Sequence, residues 1–298
     1  MARAGWQFTA PPFAGGTEPA TFHPGAPQEE AIARLQWLVE ERQRLALVVG
    51  DEGCGKSHLL SMVPRRLGGL GCEVAMVSLG GLGDDDWLEL LLARLPLEPQ
   101  ARAEATRPWR KLEDRLRENV LMERGTVIVC DDVDRAPAAA LEGLTRLVTT
   151  AEPFAARTLL VVAATPAGSA RLPRAFLDRV AVRIELTPWD EDDVGAFVAG
   201  ALARAGGDPR LFTTAAVATL ARFSGGVPNV VRRLARLALV VGGAAGIDRV
   251  DAATVERAWR ELGPVDRSVP PRADADTPVA EAAPPGSPRV RVVRRLGE

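Results

Sequence analysis

The run Gly50-Asp51-Glu52-Gly53-Cys54-Gly55-Lys56-Ser57 has the residue types and spacing, G-x-x-x-x-G-K-[ST], of a phosphate-cradling turn. It follows the apolar run Leu45–Val49 and leads into a helix-forming segment that begins His58-Leu59-Leu60. Glycines in such a turn let the backbone close around phosphate oxygens with its N–H groups pointing inward, and the helix N-terminus adds positive potential. Lys56 is then placed to reach the β- and γ-phosphates of a nucleotide, and the Ser57 hydroxyl to ligate Mg²⁺. Gly50 through Ser57, with His58 at the helix start, are the candidate nucleotide-binding residues.

Phosphate chemistry at this turn also requires an acid at the end of a neighbouring strand. Val127-Ile128-Val129-Cys130 is a short apolar run that ends in Asp131-Asp132. Asp131 is expected to hold the Mg²⁺ hydration shell, and Asp132 to orient or deprotonate the water that attacks the γ-phosphate. Thr165 ends the next apolar run, Leu159–Ala164; its hydroxyl either meets the attacking water or the γ-phosphate, or simply closes the strand. Arg179 follows the helix-like segment Ala175–Asp178. It either reaches a nucleotide in an adjacent subunit or is a solvated arginine, with Arg174 and Arg183 as competing candidates.

The elements that must position these groups alternate. Helical spacing over Pro27–Arg42 precedes the strand 45–49, and a helix runs from the phosphate turn to about Leu67. Strands follow at 73–78, 127–130, 159–164 and 182–186, separated by helices at 87–95, 109–122 and 138–149, the first of them expected to be capped by Asp84–Asp86. This rhythm predicts βαβ units and a parallel sheet covered by helices on both faces, an α/β class. After Trp189 the strands stop, and 190–203, 213–223, 228–240 and 251–262 read as four helices. The expected domains are an irregular aromatic arm (1–27), an α/β domain (28–188), a helical domain (189–262) and a disordered Pro/Ala/Arg-rich tail (263–298). Trp6, Phe8, Phe13 and Phe22 in the arm are expected to lie against the protein, with Trp6 or Phe8 also a candidate cover for an adenine ring. Trp87, Trp109 and Trp259 read as core residues.

Bulk composition narrows the classes further. The 298 residues are 47% hydrophobic and 26% charged with a net charge of −2, an ordinary globular balance with no global attraction for nucleic acid or membrane. Three scattered cysteines and two histidines argue against a disulfide framework or a histidine metal cluster. Without an apolar run of spanning length or a leader-like start, the expectation is a cytoplasmic protein that does not insert into a membrane.

Taken together, the phosphate turn, acidic strand end, polar strand end, rim arginine and C-terminal helices resemble the AAA+ ATPases. The chain is similar, more narrowly, to the general secretion pathway A type and the related transposition ATPases. That narrower likeness is carried by Gly5-Trp6-Gln7-Phe8 with Pro12-Phe13, by Glu30–Leu35 and by Phe223-Ser224-Gly225-Gly226-Val227-Pro228-Asn229. It implies a helical lid, ATP with Mg²⁺ as ligands, a homo-oligomer and a partner protein. It also puts Thr165 at the sensor-1 position, Arg179 at the arginine-finger position and the Gly226–Pro228 turn at sensor 2. Two residues depart from the pattern: the acid pair is Asp-Asp where Asp-Glu is usual, and Asn229 stands where an arginine is common, with Arg232 or Arg233 one turn along. The expected function is ATP hydrolysis driving assembly and conformational change on a partner. Two alternatives stand beside it: a slowly hydrolysing nucleotide-held switch, and an ATP-dependent DNA-binding protein using Arg232, Arg233 and Arg236.

Overall fold

The computed structural model describes residues 6–16, 25–97 and 107–262, which group into two compact units. One comprises Pro27–Glu52 and Lys56–Leu186; the other comprises the described residues before Pro27, Gly53–Gly55 and the described residues from Thr187 on. Phe22 and the tail from 263 lie outside the described residues.

The first unit is a five-stranded sheet in the order β2-β3-β4-β1-β5, built from β1 (Leu45–Val49), β2 (Glu73–Ser78), β3 (Thr126–Asp131), β4 (Thr158–Ala164) and β5 (Val182–Glu185). Every pairing is parallel. The central strands β1, β3 and β4 are buried along their whole length, as their unbroken apolar sequences require. The edge strands β2 and β5 alternate buried with more accessible positions, β2 ending in the exposed Ser78. Helices α1 (Ala26–Glu40), α2 (Lys56–Gly68), α3 (Asp86–Arg94), α4 (Pro108–Leu121) and α5 (Ala138–Thr149) accompany the sheet, with two short turns of helix, α6 (Pro166–Ser169) and α7 (Arg174–Leu177). The expected acidic cap of α3 is absent: Asp85 enters the helix in a helical conformation (φ −92°, ψ −18°) and its side chain caps nothing. An N-cap residue ordinarily needs extended geometry to turn its oxygen back onto the first N–H groups.

Register fixes what meets at each end of the sheet. At the C-terminal edge Ser78 pairs with Asp131, and Val49 pairs with Ala164. Because β4 lies between β1 and β3, Thr165 leaves the sheet between the phosphate turn after β1 and the acids that end β3. The N-terminal edge carries Leu45 and Val182, with the Ala181 N–H donating to Leu45 O (2.9 Å).

The second unit holds α8 (Glu191–Arg204), α9 (Thr214–Ser224), α10 (Pro228–Ala245) and α11 (Ala252–Glu261). Asp190, Thr213 and Asp251 cap α8, α9 and α11 by accepting backbone N–H bonds, and Gly225 ends α9 in the left-handed region. The aromatic arm is part of this unit's core. Phe13 is 2% exposed and packs against Phe197 and Phe212, while the Thr9 N–H donates to Ala205 O (2.8 Å). Trp6 donates its indole N–H to Asp248 O (3.2 Å) and lies against α10. That contact explains why α10 runs five residues past its expected end, to Ala245. Gly242 interrupts the apolar pattern because a Cβ there would come within 2.7 Å of the Trp6 ring.

Candidate functional site

The turn from Gly50 to Gly55 leaves the C-terminal end of β1 and delivers Lys56 and Ser57 as the first residues of α2. Gly53 (φ +81°) and Gly55 (φ +96°) occupy backbone conformations that side-chain-bearing residues rarely adopt, which is what lets the loop curl with its N–H groups inward. Asp51 and Glu52 are exposed, Cys54 is buried, and Glu52 pairs with Arg135 across the mouth of the loop (2.5 Å). Lys56 is 9% exposed, and its ammonium donates to Gly50 O (2.7 Å) and Asp51 O (3.1 Å). An ammonium has three protons, so one remains for an incoming phosphate.

Asp131 ends β3 at 4% exposure, beside Ser57 and Lys56. Burial pushes its carboxyl above the ordinary carboxylate value; the Ser57 hydrogen bond and the Lys56 charge oppose this, and the neighbouring Asp132 adds to it. Asp132 is a non-glycine residue at positive φ (53°), and its N–H donates to Asp131 Oδ1 (2.9 Å). Its Oδ2 accepts from the Ser78 hydroxyl at the end of β2 (3.3 Å), so the two acids have separate partners, Ser57 for Asp131 and Ser78 for Asp132. Thr165 caps α6 by accepting from the Gly168 N–H and donates its own proton to Asp134.

Ser57 and Asp131 form an oxygen donor pair of the kind a hard divalent cation takes from protein when substrate phosphates and water complete its shell. The crowding of Asp131 by Asp132, with only Lys56 in opposition, is a charge imbalance that a magnesium ion would relieve. The residues present therefore fit Mg²⁺.

Residues 39–168, the span that contains this turn and both acids, match the AAA domain family. The chain therefore carries an AAA P-loop segment, and it is similar to proteins of the general secretion pathway A type. It is 26% identical over 252 residues to general secretion pathway protein A of Aeromonas hydrophila, covering 80% of this chain and 44% of that one. The chain thus spans less than half the length of that relative. Among solved structures it resembles the Thermotoga maritima RuvB Holliday junction branch migration motor (18% identity, TM-score 0.57, 79% of this chain and 68% of that one). It also resembles the Drosophila ORC bound to DNA (18% identity, TM-score 0.61, 81% and 62%). These likenesses show an AAA+ fold, a parallel P-loop sheet followed by helices.

Within the AAA+ sheet the structure brings together Gly50, Lys56, Ser57, Asp131, Asp132 and Thr165. His58, half-buried, is the third residue of α2. Arg179 stands elsewhere: exposed, two residues before Ala181, at the N-terminal edge of the sheet. The length of β1 puts it roughly 16 Å of strand away from its own phosphate turn. Its neighbour there is Arg44, which binds the last carbonyls of α5 at Leu147 (2.6 Å) and Thr150 (3.1 Å). Of the competing arginines, Arg183 pairs with Glu185 and Arg174 approaches Asp178, whereas Arg179 has no ion pair among the described residues. In the helical unit Pro228 opens α10, the Asn229 N–H donates to Gly53 O (3.1 Å), and the Asn229 side chain accepts from Arg232 (2.8 Å). Two participants were not singled out from sequence. Asp134 is the third acid in Asp131-Asp132-Val133-Asp134, which a count of acids after β3 would have flagged; Ser78 carries no such signal.

Proposed function

We propose that this AAA+ module binds ATP with Mg²⁺ at the Gly50–Ser57 turn and cleaves its β–γ anhydride, using the cycle to drive self-assembly and movement of a partner protein. The observation that carries this reading is the convergence of a buried lysine ammonium, a Ser57–Asp131 pair and a second carboxylate at one edge of the sheet. In the reaction the water oxygen bonds to the γ-phosphorus while the bond from that phosphorus to the β–γ bridging oxygen breaks. ADP leaves with the electron pair, and Asp132 takes the proton that the water gives up. Lys56 and the loop N–H groups hold the phosphates. Ser57 and Asp131 would hold Mg²⁺, which when bound neutralises phosphate charge.

Asp132 begins the reaction tied to Ser78 and must leave that contact, or share it with water, to act. Single-turnover conversion of ATP tests the proposal. We expect conversion in the wild type, loss of nucleotide binding in Lys56→Ala, and a fall of about 10²-fold or more in Asp132→Asn with binding kept. Tight ATP binding with no conversion supports the switch reading instead, which the short, Ser78-tethered acid also favours. No binding at all overturns both.

Arg179 supports assembly as part of the mechanism. Arg179 is exposed, makes no ion pair among the described residues and lies on the edge opposite its own phosphate turn, so a nucleotide it served would be another copy's. Three cysteines outside any disulfide, two of them buried, suit a reducing, cytoplasmic setting. Among the described residues no helix is long and apolar enough to cross a membrane. The DNA-binding reading keeps one observation in its favour: Arg232, Arg233 and Arg236 crowd one another on α10 and make no ion pair among the described residues. A steep loss of duplex binding between low and moderate salt would support it.

A further inference from the structure

Thr165 has a hydroxyl whose hydrogen bonds are nearly all assigned. It donates its single proton to Asp134 Oδ2 (2.6 Å) and accepts from the Gly168 N–H (3.0 Å). The Thr165 N–H donates to the same carboxylate oxygen (3.1 Å), so Asp134 grips the strand end twice. A hydroxyl has one proton and two lone pairs, which leaves a single lone pair at Thr165. Any further group that meets this oxygen must bring a proton.

Asp134 is built to stay ionised. Its partial burial works against the charge, but the hydrogen bonds from the Thr165 hydroxyl and N–H outweigh it and hold the carboxyl below its ordinary value. An ionised carboxylate only accepts, so turning the Thr165 proton away costs Asp134 the shorter of its two bonds from Thr165 and leaves the N–H bond alone in its place. Phosphate oxygens of a magnesium-bound nucleotide are acceptors near neutral pH, whereas the attacking water is a donor. The remaining lone pair of Thr165 therefore suits the water and disfavours the γ-phosphate.

We propose that Asp134 is a positioning residue that locks Thr165 as an acceptor, so that Thr165 holds the attacking water rather than the γ-phosphate. This rests on the ATPase reading above. With one O–H directed at Thr165 and the other left for Asp132, a water lone pair faces the phosphorus. Gly168 is part of the device. A Cβ at that position would lie 1.8 Å from Asp134 Oδ2 and 2.3 Å from Asp134 Cβ, so only glycine lets the carboxylate reach Thr165. Gly168→Ala thus displaces Asp134 without altering either hydrogen-bonding side chain.

The test measures ATP and ADP affinity and single-turnover cleavage for the full chain and for Thr165→Val, Asp134→Asn, Asp134→Ala and Gly168→Ala, with thermal unfolding as the folding control. Thr165→Val should slow cleavage about tenfold or more while leaving the ratio of ATP to ADP affinity within about twofold, because the lost bond is to water. Asp134→Asn still offers an amide oxygen as acceptor and should stay within about threefold of the wild-type rate. Asp134→Ala and Gly168→Ala free the Thr165 proton for the γ-phosphate; they should slow cleavage as Thr165→Val does and raise the preference for ATP over ADP by about threefold or more. A Thr165→Val variant that loses ATP affinity selectively puts the hydroxyl on the γ-phosphate and overturns the proposal. Wild-type cleavage in Asp134→Ala overturns it as well. If Asp134→Ala or Gly168→Ala unfolds, Asp134→Asn and Thr165→Val carry the test. Failure of the ATPase reading shows separately, in the wild type. A wild type that binds but does not cleave leaves the affinity ratios to decide, and one that binds no nucleotide ends both ideas.

Discussion

Asp131 carries the tension between stability and chemistry in its clearest form. Its folded-state carboxyl titrates above the ordinary value because it is buried. In the window between the ordinary and raised values the folded chain keeps a proton that the unfolded chain has lost. Stability of the nucleotide-free protein therefore falls as pH rises through that window and then levels off. Asp131→Asn should flatten this slope and raise the unfolding temperature above it, while abolishing cleavage; melting curves across pH check both. The cation-holding form is the ionised one, so added Mg²⁺ should oppose the raised value and weaken this pH slope in the melting curves. Asp132 shows why an aspartate stands where glutamate is usual in similar proteins: its left-handed backbone (φ 53°, ψ 40°) is one that Asp and Asn tolerate best. Asp132→Glu should cost about 1 kcal/mol in denaturant unfolding, consistent with that preference. Lys56, Ser57 and the two acids were legible from spacing alone, because the turn is local in sequence. The Thr165–Asp134 bond was not, since it joins residues 31 apart and exists only because β3 and β4 are neighbours.

At the scale of elements, the strands were the easiest to read: unbroken apolar runs of five to seven residues fit only a strand buried on both faces. What periodicity hides is how helices are fastened. Helix α4 is anchored to the start of β2 by Arg115, which donates to Glu73 through Nε (3.0 Å) and Nη2, with side chains only 9% and 5% exposed. Arg115→Ala leaves the buried Glu73 carboxylate only the looser Arg124 contact (3.7 Å) and should cost about 3 kcal/mol in denaturant unfolding. The arm posed a different difficulty. Its four aromatic rings signalled packing but not a partner, and an adenine was as good a guess as a helix. Instead Phe13 fills the core between Phe197 and Phe212, and the Trp6 indole is bonded to Asp248. Phe13→Ala should destabilise the helical unit by about 3–5 kcal/mol, seen as an earlier unfolding step for that unit. Trp6→Ala, by contrast, should leave nucleotide affinity unchanged in a direct titration.

For the whole molecule, the proposed mechanism assigns complementary halves of the reaction to the two ends of one parallel sheet. The C-terminal edge presents the phosphate turn and its acids; the N-terminal edge presents Arg179 beside Arg44. A single copy cannot bring them together, so turnover should depend on meeting another copy. The most direct measurement is phosphate release per subunit across a concentration series, for wild type, Lys56→Ala, Arg179→Ala and an equimolar mixture of the two variants. We predict a wild-type rate that climbs with concentration and a fall of about 10³-fold in each variant alone. The mixture should recover part of the activity, where an intact turn meets an intact arginine. A rate per subunit that is flat with concentration and unchanged in Arg179→Ala would contradict the account.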